Sequence, residues 1–380
     1  MRGGTPFPER DMRFDVVIAG GSLAGLSAAV NCAKKGARTL VIDIKPDIGA
    51  FKCAEGALGE HLSRAGFPPS PEWVALELDR FRLVSPGGTV VDVHSRYMKM
   101  CMLDRGELQR HILRMALDQG CEVRTSTRAG RLDLDAGMLR PGNGDELQAQ
   151  TFIDATGAAA ALGRQCGLPR LSRDELSLVA QWTMRAEGLE EDRFQLFFGA
   201  PHHSPAGYSW IFPKGNGIFN IGAGGLASHL PRGVLPRELV ERFIRDRVPE
   251  PGKRLRYVAA FLPSSCPAER PVVKSKDGEK ALLLAGDAAR LCVASISAGI
   301  ANALQSGRWA GENWDAPEKY EMVLKEGLYK NLARSHRFKM RSFTDERMEG
   351  VFRWRIRPMG FLHRLFPAIL EDMTVDMLGF

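Results

Sequence analysis

Apolar residues follow two rhythms along this chain. Residues 14–19 (FDVVIA), 38–43 (RTLVID) and 281–285 (ALLLA) are short apolar runs with almost no alternation. Such runs predict strands buried on both faces, as in a parallel sheet covered by helices. The second rhythm is alternation. Tyr208, Trp210 and Phe212 stand two apart, which places three aromatic rings on one face of a strand. Alone, that stripe describes an ordinary sheet face over a core. Near the end, apolar residues at 362, 365, 366, 369 and 370 recur at helical spacing, interrupted by Pro358 and Pro367. Two short helices are predicted there rather than one long one.

Between the first two runs lies GGSLAGLSAAVNCAKKG (20–36). Strand, glycine turn, small-faced helix and strand make a dinucleotide-binding unit. Gly20 permits the tight turn, and Gly25 lets the helix lie close to the strand. Ala24, Ala28 and Ala29 keep that contact thin. The middle position, where glycine allows closest approach of a pyrophosphate, is Ser22 here, a small residue whose hydroxyl can bond a phosphate oxygen. Asp43 falls where a ribose-binding carboxylate belongs. The unit predicts a dinucleotide and does not choose between NAD and FAD.

At 380 residues the chain is longer than one ordinary domain, so two interleaved domains are expected. No run approaches the roughly 18 apolar residues of a spanning helix. The N-terminal MRGGTPFPERDMRF lacks the order of a signal peptide and reads as a loose tail. Cys32, Cys53, Cys101, Cys121, Cys166, Cys266 and Cys292 are odd in number and scattered, with no CxxC pair or Cys/His set. They argue against a metal site and fit a reducing cytoplasm. The net charge of +7 is modest, but nine basic residues fall between Lys330 and Arg357. With no recognition module beside them, nucleic acid is a poor reading. A solvated helical face and an anionic membrane surface remain, the latter favoured by the aromatic residues that follow.

The choice of cofactor comes from far down the chain. ALLLAGDAAR (281–290), followed by ISAGIANALQSGRWAGE, resembles the second FAD signature of the flavoproteins that share the para-hydroxybenzoate hydroxylase fold. The resemblance implies that Gly286, Asp287 and Ala288 hold the ribityl or phosphate region. It also implies that a helix starting at Gly299 and Ile300 aims its N-terminus at the flavin pyrimidine, where reduced flavin carries negative charge. CMLDRGELQRHIL resembles the same family's arginine segment, with Arg105 near FAD, and TFIDATGAAA (151–160) its third element. The implied architecture is α/β. A Rossmann-like FAD-binding domain (13–52, 98–165 and 270–315) is interleaved with an antiparallel-sheet substrate domain (53–97 and 166–269). A C-terminal helical segment (316–380) completes it.

KCAEG (52–56) resembles the Cys-x-x-Gly plus Glu signature of geranylgeranyl reductases, at Cys53, Glu55 and Gly56. YSWIFPKGNGIFNIG (208–222) resembles that family's aromatic element, at Tyr208, Trp210, Phe212, Pro213, Lys214 and Gly222. Together they imply an FAD-dependent reductase that saturates C=C bonds of an isoprenoid or prenylated lipid. Flavin N5 would supply the hydride, and Cys53, Tyr208 or a water the proton. Glu55 would orient its segment or serve as a charge at a helix start. Trp210, Phe212, Pro213 and Gly56 would wall an apolar tunnel. With no second glycine fingerprint, electrons would come from transiently bound NAD(P)H or a small redox protein. The chain departs from the family before the flavin-facing helix, where Ala294, Ser297 and Ala298 replace a proline and glycines and reduce the room above the pyrimidine ring. Cys292, just before that turn, is expected to approach Cys53 beside the flavin, as a disulfide or as a redox-coupled dithiol. A flavin-dependent monooxygenase of the same fold, acting on an aromatic or apolar small molecule, is the alternative, and Thr156-Gly157 leans away from it. A flavin-binding protein without turnover is the non-enzymatic reading. His202 and His203, in PHHSPAG, read as an exposed turn. The expected location is cytoplasmic, with peripheral contact at the inner face of a membrane.

Overall fold

The computed structural model describes residues 12–49, 54–95 and 99–357. The unbroken apolar runs form one sheet. Arg13–Ala19 lies at its centre, paired in parallel with Thr39–Ile42 on one side and with Leu147–Asp154 on the other, and Ala281–Leu284 follows next. Val16, Val17, Ile18, Leu40, Val41, Leu282 and Leu283 are fully buried. The helix Leu23–Lys34 packs on the central strands, and the apolar residues of these strands are buried, which is why their runs show no polar alternation.

The first helix, Leu23–Lys34, packs on the distant helix Ile300–Glu312 through small residues. A Cβ added to Gly307 would lie 2.1 Å from the Ala24 carbonyl oxygen, and one on Gly311 would lie 2.4 Å from that of Ala28. Ala24 and Ala28 therefore serve this helix crossing as well as the strand beneath. Gly25 faces the turn, where a Cβ would meet the Gly20 carbonyl oxygen at 1.8 Å. The two segments that resemble FAD signatures are thus locked together.

A second sheet of seven strands holds the aromatic stripe. Leu176–Glu187 pairs antiparallel with Ile218–Leu226 and with the edge strand Glu250–Pro263. Ser204–Gly215 and Phe194–Gly199 continue the order. One pair is parallel, Phe194–Gly199 with Arg80–Val84. The helix Pro236–Arg247 buries Leu239, Val240, Phe243 and Ile244 against one face. A three-stranded sheet of Gly56–Leu58, Met100–Leu103 and Val74–Leu78 joins the two larger ones.

After the helix Pro317–Leu324 come Lys330–Ser342 and Asp345–Val351. The basic stretch is not wholly a solvated face. Leu332, Ser335, Lys339 and Ser342, at i, i+3, i+7 and i+10, form a buried stripe. PHHSPAG is corrected too: His202 is buried, with Nε2 2.9 Å from the Ser85 carbonyl oxygen, and His203 Nε2 lies 2.6 Å from Asp246. Ser85, Phe197 and Arg247 surround the first ring, and Asp246 of the neighbouring helix takes the second. Among the described residues no helix is long and apolar enough to cross a membrane. Cys53 and the predicted helices beyond Arg357 lie outside the described residues.

Candidate active site

A cavity of about 410 Å³ opens between the sheets, within the size range of small-molecule sites. One end is lined by Ser22, Ala24, Arg105, Gly286, Asp287 and Gly299, and the other by Phe81, Leu83, Phe194, Leu196, Trp210 and Phe212. The nucleotide-type turn and the aromatic stripe, nearly two hundred residues apart in the chain, face one space.

At the first end Gly20 adopts φ +107°, and a Cβ there would lie 2.3 Å from the Ala155 carbonyl oxygen. Only glycine suits that turn. Ser22 is the N-cap of the first helix and makes no side-chain cap, so it leaves the helix's first N–H groups open to an anion. Gly299 likewise caps Ile300–Glu312 without a side-chain bond. Two helix N-termini thus open on one cavity. The Asp43 carboxylate is engaged by the protein itself, accepting from the backbone N–H of Gly21 at 2.6 Å and of Lys45 at 2.7 Å. This holds the turn, and each oxygen keeps a lone pair for a hydroxyl. Arg105 donates from Nη1 to Gln109 Oε1 at 2.6 Å, and Gln109 Nε2 donates to the carbonyls of Gly21, at 3.0 Å, and of Ile48. Gln109 therefore ties the arginine helix to the glycine turn, a link carried in sequence only by its i+4 spacing from Arg105.

Gly286 has φ +59°, with the Ala24 side chain 3.0 Å from where its Cβ would be. Ala288 is fully buried behind it. Asp287 faces the cavity, and loss of bulk water pushes its pKa up to about 6, opposed by the charge of Arg105. Asp154 is a fully buried carboxylate nearby, but its oxygens accept from the Thr156 N–H and hydroxyl and from the N–H groups of Leu162 and Gly163. It staples the third element rather than facing a ligand. The donor set, the uncapped helices and the glycine-lined approach fit FAD.

The turn 292–299 keeps its bend without the family's glycines. Val293 N donates to Ala298 O at 2.8 Å, and Ser297 takes φ +52°. The Ser295 hydroxyl meets that of Ser335 at 2.9 Å, which fixes the turn to the C-terminal helix.

At the other end Tyr208, Trp210 and Phe212 share a face, with ring centroids 5.9 and 6.2 Å apart. The Trp210 indole lies across Gly222, where a Cβ would be 2.0 Å from its ring. Pro213, with no N–H to give, sits where the ladder slips between Pro213 and Gly215. Tyr208 Oη donates to the Ile296 carbonyl at 2.5 Å. Glu55 is buried, with φ +71°. Its Oε2 accepts from Lys214 Nζ and from Asn220 Nδ2, each at 2.6 Å. Gly56 packs beside Phe212, whose ring would lie 3.8 Å from a Cβ at that position. The thiol-bearing segment is therefore clamped to the aromatic strand. No motif marks Asn220. Its one signal in the sequence is a polar residue within an otherwise apolar strand.

The fold and this cavity define an FAD-dependent oxidoreductase. A family model for the geranylgeranyl reductase catalytic domain matches residues 175–261, and one for an FAD binding domain matches residues 15–77. The chain is 33% identical to digeranylgeranylglycerophospholipid reductase 2 of Methanopyrus kandleri, over 79% of this chain and 76% of that protein. It is 29% identical to the digeranylgeranylglycerophospholipid reductase of Methanocella arvoryzae, over 86% of each. A geranylgeranyl bacteriochlorophyll reductase-like protein from Thermoplasma acidophilum shares the fold with a TM-score of 0.81 and 23% identity, over 96% of this chain and 99% of the other. The chain belongs to the geranylgeranyl reductase family.

Proposed function

We propose that this protein uses reduced FAD to saturate carbon–carbon double bonds of a prenyl lipid. One observation carries the reading: the two uncapped helix ends and Asp287 line the same cavity as Trp210, Phe212 and Phe194. When bound, the flavin supplies a hydride. Gly20, Ser22, Ala24, Gly25 and Asp43 hold the dinucleotide part, and Arg105, Gly286, Asp287, Ala288, Gly299 and Ile300 hold the flavin end. Trp210, Phe212, Pro213 and Gly56 bind the apolar chain and exclude water. The Glu55–Lys214–Asn220 clamp fixes the wall at Glu55 and Gly56. The reductases this chain resembles are named for a glycerophospholipid with geranylgeranyl chains, which matches an apolar end lined by aromatics.

Electrons reach the flavin from NAD(P)H bound transiently or from a small redox protein. The exposed Lys330, Arg337, Arg341 and Arg353 lie on the C-terminal elements with Trp354, 74% exposed, and this supports a peripheral contact with anionic lipid. Co-sedimentation with phosphatidylglycerol vesicles should fall in an R353E/W354A variant.

The test of the reaction is a single turnover. The FAD-loaded protein is reduced without oxygen and mixed with prenyl alcohols and prenyl phospholipids. Reoxidation of the flavin, with products two hydrogens heavier per bond reduced, supports the reading. A flavin reoxidised only by oxygen, with a hydroxylated product, would replace it with monooxygenation.

A further inference from the structure

One ionisable side chain of the cavity has no part in the chemistry so far. Lys339 is 3% exposed to solvent, yet it lines the cavity. Its Nζ donates to Ser177 Oγ at 2.9 Å and lies 5.6 Å from the Phe343 ring centroid. Among the described residues no carboxylate pairs with it. The titratable groups around it are the Cys292 thiol, from the turn before the flavin-facing helix, and His336 on its own helix, whose Nδ1 lies 3.2 Å from Cys266 Sγ. Withdrawal from water pushes the Lys339 pKa down to about 8, with Cys292 opposing. An ammonium buried without a carboxylate is expensive, and a methionine would pack the same space at less cost.

Its position is specific. Cys292 Sγ lies 3.8 Å from where a Cβ of Gly299 would stand, so the turn facing Lys339 borders the N-terminus of the flavin-facing helix. Ser335, one turn before Lys339, anchors that same turn through Ser295. Tyr208, another protic side chain of the cavity, is held with its hydroxyl against the Ile296 carbonyl.

We propose that Lys339 is the proton donor of the reduction. The inference rests on the reductase reading above. One alkene carbon gains a hydride, with its electron pair, from the reduced flavin. The other forms its new C–H bond from the alkene π electrons and a proton of Lys339 Nζ. Lys339 would be left as a neutral amine that solvent reprotonates after product leaves, the two electrons having come from the reduced flavin. A group that titrates near pH 8 is charged at neutral pH and still gives up its proton readily.

The test uses FAD-loaded full-length protein as wild type, Lys339→Met and Lys339→Arg, each checked for flavin content. Reduced protein is mixed anaerobically with geranylgeraniol across a pH series. The wild-type rate should be flat at low pH and fall above about pH 8, as the donor deprotonates. Both variants should be about 10²–10⁴-fold slower and lack that limb, because arginine keeps the charge but holds its proton. A second readout needs no turnover. Neutral amines attack isocyanic acid, which cyanate supplies in ever smaller amount as pH rises. At fixed total cyanate the carbamylation of Lys339 in the oxidised protein should therefore be flat below about pH 8 and fall above it, and geranylgeraniol should slow it about tenfold, as read by peptide mass. Wild-type rates in Lys339→Arg would make the lysine a charge anchor and overturn the proposal. So would an unchanged limb in Lys339→Met with loss of activity in Cys53→Ala, which would move the proton to the thiol. Absence of carbamylation, or of protection, would remove Nζ from the bound chain. A wild-type flavin that geranylgeraniol cannot reoxidise overturns the reductase reading and this inference with it. That outcome is recognisable because wild type and variants are then equally silent.

Discussion

Lys214 Nζ lies 2.6 Å from Glu55 Oε2, and this ion pair fastens the aromatic strand to the segment that carries the thiol. The Glu55 side chain is 4% exposed and that of Lys214 17%. Asn220 supplies a second donor, so the buried carboxylate is satisfied. Removing one partner leaves the other charge stranded. Lys214→Met should cost about 3–5 kcal/mol in urea unfolding. The double variant Glu55→Gln/Lys214→Met should recover a good part of it. A double-variant loss equal to the sum of the separate Glu55→Gln and Lys214→Met losses would mean that the pair does not couple.

Gly307 sets the distance between the first helix and the flavin-facing helix. Its missing Cβ would lie 2.1 Å from a backbone oxygen, Ala24 O, which cannot swing aside as a side chain can. Gly307→Ala should therefore destabilise by about 1–3 kcal/mol or more and weaken FAD retention on gel filtration, because the helix ends that line the cavity move apart. An unchanged melting temperature with full flavin occupancy would refute this.

Asp287 should cost the flavin-free protein stability at neutral pH. The folded state holds its proton up to about pH 6, against an ordinary value of 3.8. Between those values the folded state binds more protons than the unfolded chain, so stability falls as pH rises and the full penalty is present at pH 7. Asp287→Asn should stabilise the flavin-free protein at pH 7 by on the order of 1–3 kcal/mol, give no gain at about pH 3 where both states are protonated, and bind FAD more weakly. Thermal unfolding at the two pH values, with a flavin titration, checks all three.

His202 gives the opposite slope. Nε2 donates to the Ser85 carbonyl at 2.9 Å, so Nδ1 must accept from Arg247 Nη2 at 3.0 Å. Burial resists a second proton, which would also face a guanidinium, so the pKa lies below its usual 6.5. The unfolded chain then takes up a proton that the folded state resists, and stability falls as pH drops below 6.5. His202→Gln should cost about 1 kcal/mol at neutral pH and flatten this acid limb. His61 and His336, also shifted down, should leave a residual slope.

Much of the site is legible in the sequence because local geometry demands particular residues. Gly20 needs a positive φ, Gly25 and Gly286 need close approach, and the 208–212 alternation needs a strand with one apolar face. Motif spacing can thus place FAD and the aromatic wall. His202 and Lys339 read as surface residues, because polarity argues for water unless a partner is known. Their partners, Ser85 and Arg247 for one and Ser177 for the other, lie 45 to 162 residues away.

The sequence by itself determined the α/β class, the FAD-binding turn and the reductase-type signatures. Those rest on steric rules within a few residues of one another. Only the tertiary structure decided that Glu55 pairs with Lys214 and accepts from Asn220, that Gly307 sits against Ala24, and that one lysine of a basic helix turns inward to the cavity. Each depends on charges and volumes brought together from distant segments, and burial, which no local pattern records, sets what those groups can do.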